Sequence, residues 1–281
     1  LRDEMGFDGV LISDWAAIEE TIYHGYCADK EDAAIRAVEA GVDIDMMTGI
    51  YCDNLCRLVR EGKIPESLVD ECCMRILELK NKLGLFENPY KDADEEKEQQ
   101  LILCKEHREL AREAARKSFV LLKNEEQILP LDKTKKTAFI GPYVNSRNLM
   151  GSWSIIGEAK DITTVEEIMA VEEAGNNVVC CQGSPMLGAE VILEGFTEEN
   201  QATYTPEEEA KMLEEALEAA KKADQVVLFI GEDRLQSGEA TSNATIQIPQ
   251  IQQNLLERVA EINENIAVVL FSGRPLDLRD V

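Results

Sequence analysis

Four nearly continuous apolar runs constrain the fold most: residues 137–141 (TAFIG), 177–182 (NVVCCQ), 225–231 (QVVLFIG) and 266–272 (IAVVLFS). They lack the in-out alternation of a strand with one wet face, so they predict strands covered on both faces. Between them, apolar residues at helical spacing predict helices over 165–174, 206–223 and 250–263. Strands alternating with helices pair in parallel through right-handed crossovers, which gives this part of the chain a helix-sheet-helix layering.

The first region repeats that alternation on a smaller scale. Residues 8–13 (DGVLIS) and 42–46 read as short strands, and helices are expected over 15–23, 30–40, 51–60 and 65–83. Two strand-helix units cannot cover both faces of their own sheet, so this region reads as part of something larger. The last predicted strand is likewise followed by no helix before Val281, and the chain does not open on Met; it reads as a fragment. Residues 88–100 (NPYKDADEEKEQQ) combine turn formers with a dense acidic run and read as an exposed linker. A helix over 101–116 then leads into 118–122 (SFVLL), expected as a strand or a docking segment.

Charge excludes two classes of partner. Against 29 Lys and Arg stand 55 Asp and Glu, a net charge of −26 over 281 residues, and such a field repels phosphate backbones and anionic lipid headgroups. No apolar run approaches the roughly 20 residues that cross a bilayer. Neither nucleic acid nor membrane is therefore an expected partner. The 8 cysteines, at 27, 52, 56, 72, 73, 104, 180 and 181, include no CxxC pair and suit neither a zinc site nor a disulfide ladder. They read as reduced, mostly buried thiols, which places the chain in a reducing compartment, the cytoplasm. Two histidines, His24 and His107, make a metal site a poor expectation. The turn at Phe139-Ile140-Gly141-Pro142 has neither of the glycine patterns that cradle nucleotide phosphates, and no cofactor is expected.

Parallel α/β folds collect reactive groups in loops at the carboxyl ends of strands. Two carboxylates stand there: Asp14 after the first strand, and Glu239 in the loop 232–248 after the strand at 225–231. Alone, Asp14 reads better as a helix N-cap and Glu239 as a solvated loop carboxylate. Their neighbours make them specific. Residues 1–15 (LRDEMGFDGVLISDW), 37–47 (AVEAGVDIDMM), 118–125 (SFVLLKNE) through Leu129-Pro130-Leu131, Gly151-Ser152-Trp153-Ser154, Ser237-Gly238-Glu239-Ala240 and Gly273-Arg274-Pro275-Leu276 run in one order. Together they closely resemble glycoside hydrolase family 3, the β-glucosidase family.

The resemblance implies an α/β architecture: the C-terminal part of a (β/α)8-type barrel over residues 1–87, a linker and connecting helix over 88–117, and an αβα sandwich domain over 118–281. It implies a retaining exo-acting β-glycosidase, most closely a β-glucosidase, working on an oligosaccharide or β-glucoside. Asp14 would be the nucleophile and Glu239 the general acid/base, with Glu232 the rival carboxylate on the same loop. Retaining hydrolysis needs two such carboxyls about 5–5.5 Å apart, in environments that separate their pKa values. Trp15 is expected as an aromatic wall for the sugar, against the plainer reading of a core anchor, and Trp153 as a weaker candidate for the rim. Asp43 and Asp45 read as structural, His24 as capping the first helix and His107 as solvated. Where the subgroup carries Arg after the acid/base segment this chain has Asn243. The family's sugar-gripping barrel residues are not in this sequence, so the piece alone is expected to be inactive. Alternatives are a β-xylosidase of the same family, disfavoured by Trp15, and a noncatalytic sugar-binding or interaction module; a homo-oligomer stays open.

Overall fold

The parallel sheet expected from the four apolar runs forms. The computed structural model of the protein describes residues 1–125, 127–151, 153–154, 157–171, 177–188, 204–239 and 241–281. It divides into two units, Leu1–Phe119 and Val120–Val281, each with its own hydrophobic core.

In the second unit the strands are β1 (Thr137–Ile140), β2 (Val178–Cys181), β3 (Gln225–Gly231) and β4 (Ile266–Phe271), all parallel in the order β2-β1-β3-β4. Ala138 stands beside Val179 on one side and Val226 on the other, and Phe229 beside Val269. The helices are α8 (Val165–Val171), α9 (Pro206–Lys222) and α10 (Gln250–Ala260); residues 172–174 of the first expected helix lie outside the described residues. Helix α9 lies on β1 and β2 and α10 on β3, with the two helices touching. Alternate positions of the central strands, Ala138, Ile140, Val226, Leu228 and Ile230, meet Ala216, Ala220, Leu255 and Val259, and all are inaccessible to solvent. Burial on both faces holds for β3 but not for the edge strands, where Val179 and Val268 are exposed. Helix α9 begins on a capping box: Thr205 Oγ1 accepts the Glu208 amide at 3.2 Å, and Glu208 Oε2 accepts the Thr205 amide at 2.8 Å.

The first unit is mainly helical: α1 (Arg2–Met5), α2 (Ala17–Tyr23), α3 (Lys30–Glu39), α4 (Ile50–Arg60), α5 (Glu66–Lys82), α6 (Glu95–Leu101) and α7 (Lys105–Ser118). Its core gathers Ile18, Ala33, Ala34, Val38, Ile50, Leu58, Ile64 and Cys72. The two strands expected here shrink to a single parallel bridge, Ile12 with Ile44. Each segment has only the other to pair with among the described residues, and a two-membered parallel pair gains too few hydrogen bonds to run on as a ladder.

Three expectations need correction. The stretch read as linker contains α6, which Asp94 starts by accepting the Lys97 amide at 3.0 Å. Residues 118–122 form no strand; Phe119, Val120, Leu121 and Leu122 are exposed because no sheet edge pairs with them among the described residues. The cysteines are not mostly buried either: only Cys27 and Cys72 are, while Cys52, Cys56 and Cys73 are exposed. Small polarisable side chains tolerate a helix surface, so cysteine count alone does not predict burial.

Candidate functional site

The backbone around Asp14 is set by the bridge beneath it. Ser13 N donates to Ile44 O at 3.0 Å, and the amides of Asp43 and Ile44 both donate to Leu11 O. Ser13 Oγ then accepts the Met46 amide at 2.8 Å and donates to Asp14 O at 2.9 Å, tying the two segments where they leave the bridge. Asp14 follows, exposed, its Oδ1 accepting the Trp15 amide at 2.7 Å. That bond is to the next residue and not to the first turn of α2, whose N-cap is Ala16, so the helix-cap reading of Asp14 fails. Trp15 is 64% exposed, so among the described residues it anchors no core. Both exits carry a non-glycine residue in the left-handed region, Ala16 at φ 56° and Met47 at φ 82°. Such strain collects at functional sites.

Below Asp14 the unit is braced by a buried charge cluster. Asp43, its side chain fully enclosed, takes Arg2 at 2.7 Å, Arg75 at 2.8 Å and the Leu11 amide at 2.8 Å. Burial pushes its carboxyl up, but the Leu11 amide and Arg75 outweigh this and hold it below the usual aspartate range. Asp45 accepts the Thr48 hydroxyl at 2.6 Å. Both aspartates are thus structural, as expected. His24 sits at the C-cap of α2, its amide donating to Glu20 O, and His107 is exposed on α7.

In the second unit the loop after β3 separates its carboxylates by role. Glu232 is buried and bound by Arg274, whose Nε lies 3.0 Å from Oε1 and 3.2 Å from Oε2; Arg274 Nη2 also bonds Oε1, and Ser272 Oγ donates to Oε2 at 3.2 Å. The Tyr143 hydroxyl donates to the Glu232 carbonyl, and its ring stacks on Phe271 at 4.1 Å. Buried against Glu232 and Asp233, that hydroxyl has its pKa pushed up. Asp233 accepts Asn148 Nδ2 at 3.0 Å and the Leu235 amide at 2.9 Å, while Gln236 Oε1 accepts the Asp233 amide at 2.9 Å. Glu239 lies beyond this pinned base and is exposed. Asn243 spends its amide on Gln236 O at 3.0 Å. Trp153 is 69% exposed; Ser152 and Ala240 of the motifs lie outside the described residues.

Among the described residues no cation pairs with Asp14 or Glu239, whereas Asp43 and Glu232 are consumed by arginines. Sequence reasoning missed the clamp on Glu232, because Arg274 lies 42 positions away in a motif read only for its order. It also missed the two left-handed residues, for which an alanine and a methionine give no local signal.

The chain matches the domain description "Glycosyl hydrolase family 3 N terminal domain" over residues 1–79 and "Glycosyl hydrolase family 3 C-terminal domain" over residues 119–281. It is 37% identical to a protein of Salmonella typhimurium named periplasmic beta-glucosidase, over 99% of this chain and 37% of that one. It is 31% identical to a beta-xylosidase of Formosa agariphila, over 99% of this chain and 38% of the other. A crystal structure of beta-glucosidase from Listeria innocua in complex with isofagomine superposes at a TM-score of 0.83, with 38% identity, covering 99% of this chain and 36% of that one. The chain thus spans a little over a third of the length of the relatives it matches. The cytoplasmic reading of the cysteines is overturned by the Salmonella relative, whose name places it in the periplasm. Thiols that are free in this fold set no redox condition, so they never constrained the compartment. Matched by both domain descriptions in order and along most of its length, the chain belongs to glycosyl hydrolase family 3.

Proposed function

We propose that the protein is a retaining exo-acting β-glycosidase, a β-glucosidase, in which Asp14 attacks the anomeric carbon and Glu239 protonates the leaving oxygen and then activates water. Residues 1–87 are then the end of a (β/α)8-type barrel, 88–117 a linker and connecting helix, and 118–281 an αβα sandwich domain. The observation that carries the reading is Asp14 itself: an exposed carboxylate at the exit of a parallel bridge, paired with no cation among the described residues, where both paired segments leave through a left-handed residue. Clamping of Glu232 supports Glu239 over it as the acid/base, since both oxygens of Glu232 are already taken up by Arg274 and Ser272. Trp15 supplies an exposed aromatic face of the kind sugars stack on.

A carbohydrate substrate is supported by the Listeria innocua beta-glucosidase, whose structure in complex with glucose resembles this chain at a TM-score of 0.82. The β-xylosidase reading stays second; the Formosa relative of that name favours it at lower identity than the Salmonella β-glucosidase.

The test is labelling of the full-length enzyme with a 2-deoxy-2-fluoro-β-glucoside. The label is expected on Asp14, and azide is expected to restore part of the turnover lost in Glu239→Ala. Labelling of another residue, or unchanged turnover in Glu239→Ala, refutes the corresponding role.

A further inference from the structure

The loop after β3 is rigid at its base and exposed at Glu239, and the rigidity comes from the chain just past β4. Arg274 grips Glu232 with two guanidinium nitrogens, and Ser272 adds its hydroxyl. Both carboxylate oxygens are thereby held, on a side chain only 2% exposed. From Glu232 the chain enters the turn closed by Gln236 N to Asp233 O at 2.9 Å and locked by the Asp233 and Gln236 side chains. It then presses Ser237 against Gly273: a Cβ at position 273 would stand 2.2 Å from Ser237 Oγ and 3.2 Å from Ser237 Cβ. Glu239 is two residues further on.

We infer that Gly273 and Arg274 position the acid/base segment, Arg274 by fixing the root of the loop through Glu232 and Gly273 by leaving the notch into which Ser237 packs. Neither residue touches substrate in this account; both act through the backbone that carries Glu239. The inference rests on the acid/base reading of Glu239. Arg is required at 274 because the planar guanidinium meets both carboxylate oxygens at once, which a lysine ammonium on a flexible stem does not reproduce. A proton donor must lie within hydrogen-bond reach of the leaving oxygen, so a small displacement of the loop root costs rate at the protonation step first.

The test uses the full-length enzyme and two β-glucosides, one with a 2,4-dinitrophenolate leaving group that needs no protonation and one with an aliphatic alcohol that does. Arg274→Ala would leave Glu232 buried and unpaired and would report folding as much as catalysis. The informative variants are therefore Arg274→Lys and Gly273→Val, each with its melting temperature measured. For both, kcat/KM on the aliphatic glucoside is expected to fall by about 10²-fold, the cost of a misplaced catalytic group. Bond cleavage on the dinitrophenyl glucoside is expected to change little, and azide to restore part of its turnover, as in Glu239→Ala. Equal losses on the two substrates, with Glu239→Ala still selective, would overturn the positioning role and leave the acid/base reading standing. Glu239→Ala with undiminished activity on the aliphatic glucoside would instead overturn that reading, and this inference with it.

Discussion

Asp43 carries a charge where water cannot reach it, and two guanidiniums with one amide keep that charge tolerable. Asp43→Asn leaves Arg2 without a counter-charge and Arg75 with only Glu71 at 3.5 Å, and breaking a buried pair of this kind costs about 3–5 kcal/mol. Because the folded carboxyl titrates below the unfolded one, its stabilisation is complete above the unfolded value of about 3.9 and is lost as pH falls through the depressed folded value. Denaturant melts of the wild type between pH 5 and 2 are expected to show that acid limb, and Asp43→Asn to flatten it; an unchanged limb would remove Asp43 from the account. Trp15 is the opposite case. Being mostly exposed, its replacement by Ala is expected to shift stability by no more than about 0.5 kcal/mol while raising KM for a β-glucoside. A large drop in stability with KM unchanged would return Trp15 to a packing role.

At the level of elements, β3 and α10 are joined by one buried side chain. Gln252 Oε1 accepts the Gly231 amide at 2.8 Å, and its Nε2 donates to Gly231 O at 2.9 Å and Met186 O at 2.6 Å. Gln252→Leu is similar in bulk but strands those buried groups, and a loss on the order of 3 kcal/mol in chemical denaturation is expected. A loss under about 0.5 kcal/mol, the size of an ordinary surface change, would show that water takes over the partners. This network also marks where sequence reading stops. The run QVVLFIG names β3 to the residue, because a strand buried on both faces is apolar throughout, and Thr205-Pro206 announces α9 through cap chemistry. The same composition in SFVLL gave no strand, since pairing depends on a neighbour that local sequence does not contain. The motifs single out Asp14 and Glu239 as candidates. What separates Glu239 from Glu232 is an arginine just past the next strand, and only the folded register brings it there.

On the scale of the molecule, the charge imbalance acts on stability and not on substrate. The ion pairs on helix faces, such as Lys105 with Glu109 and Lys211 with Glu215, are largely exposed, and pairs of this kind contribute from nothing to about 1 kcal/mol. Against them stands the mutual repulsion of a net charge of −26. Raising ionic strength shortens the Debye length from about 30 Å at 0.01 M to about 10 Å at 0.1 M, which weakens long-range repulsion more than contacts between adjacent charges. The melting temperature is therefore expected to rise with salt over that range; a fall would mean that the local pairs outweigh the net field. A neutral β-glucoside feels no steering from an acidic surface, so kcat/KM of the full-length enzyme is expected to stay flat over the same range. A steep salt dependence of kcat/KM, at constant melting behaviour, would instead require a charged substrate and would count against a neutral glycoside.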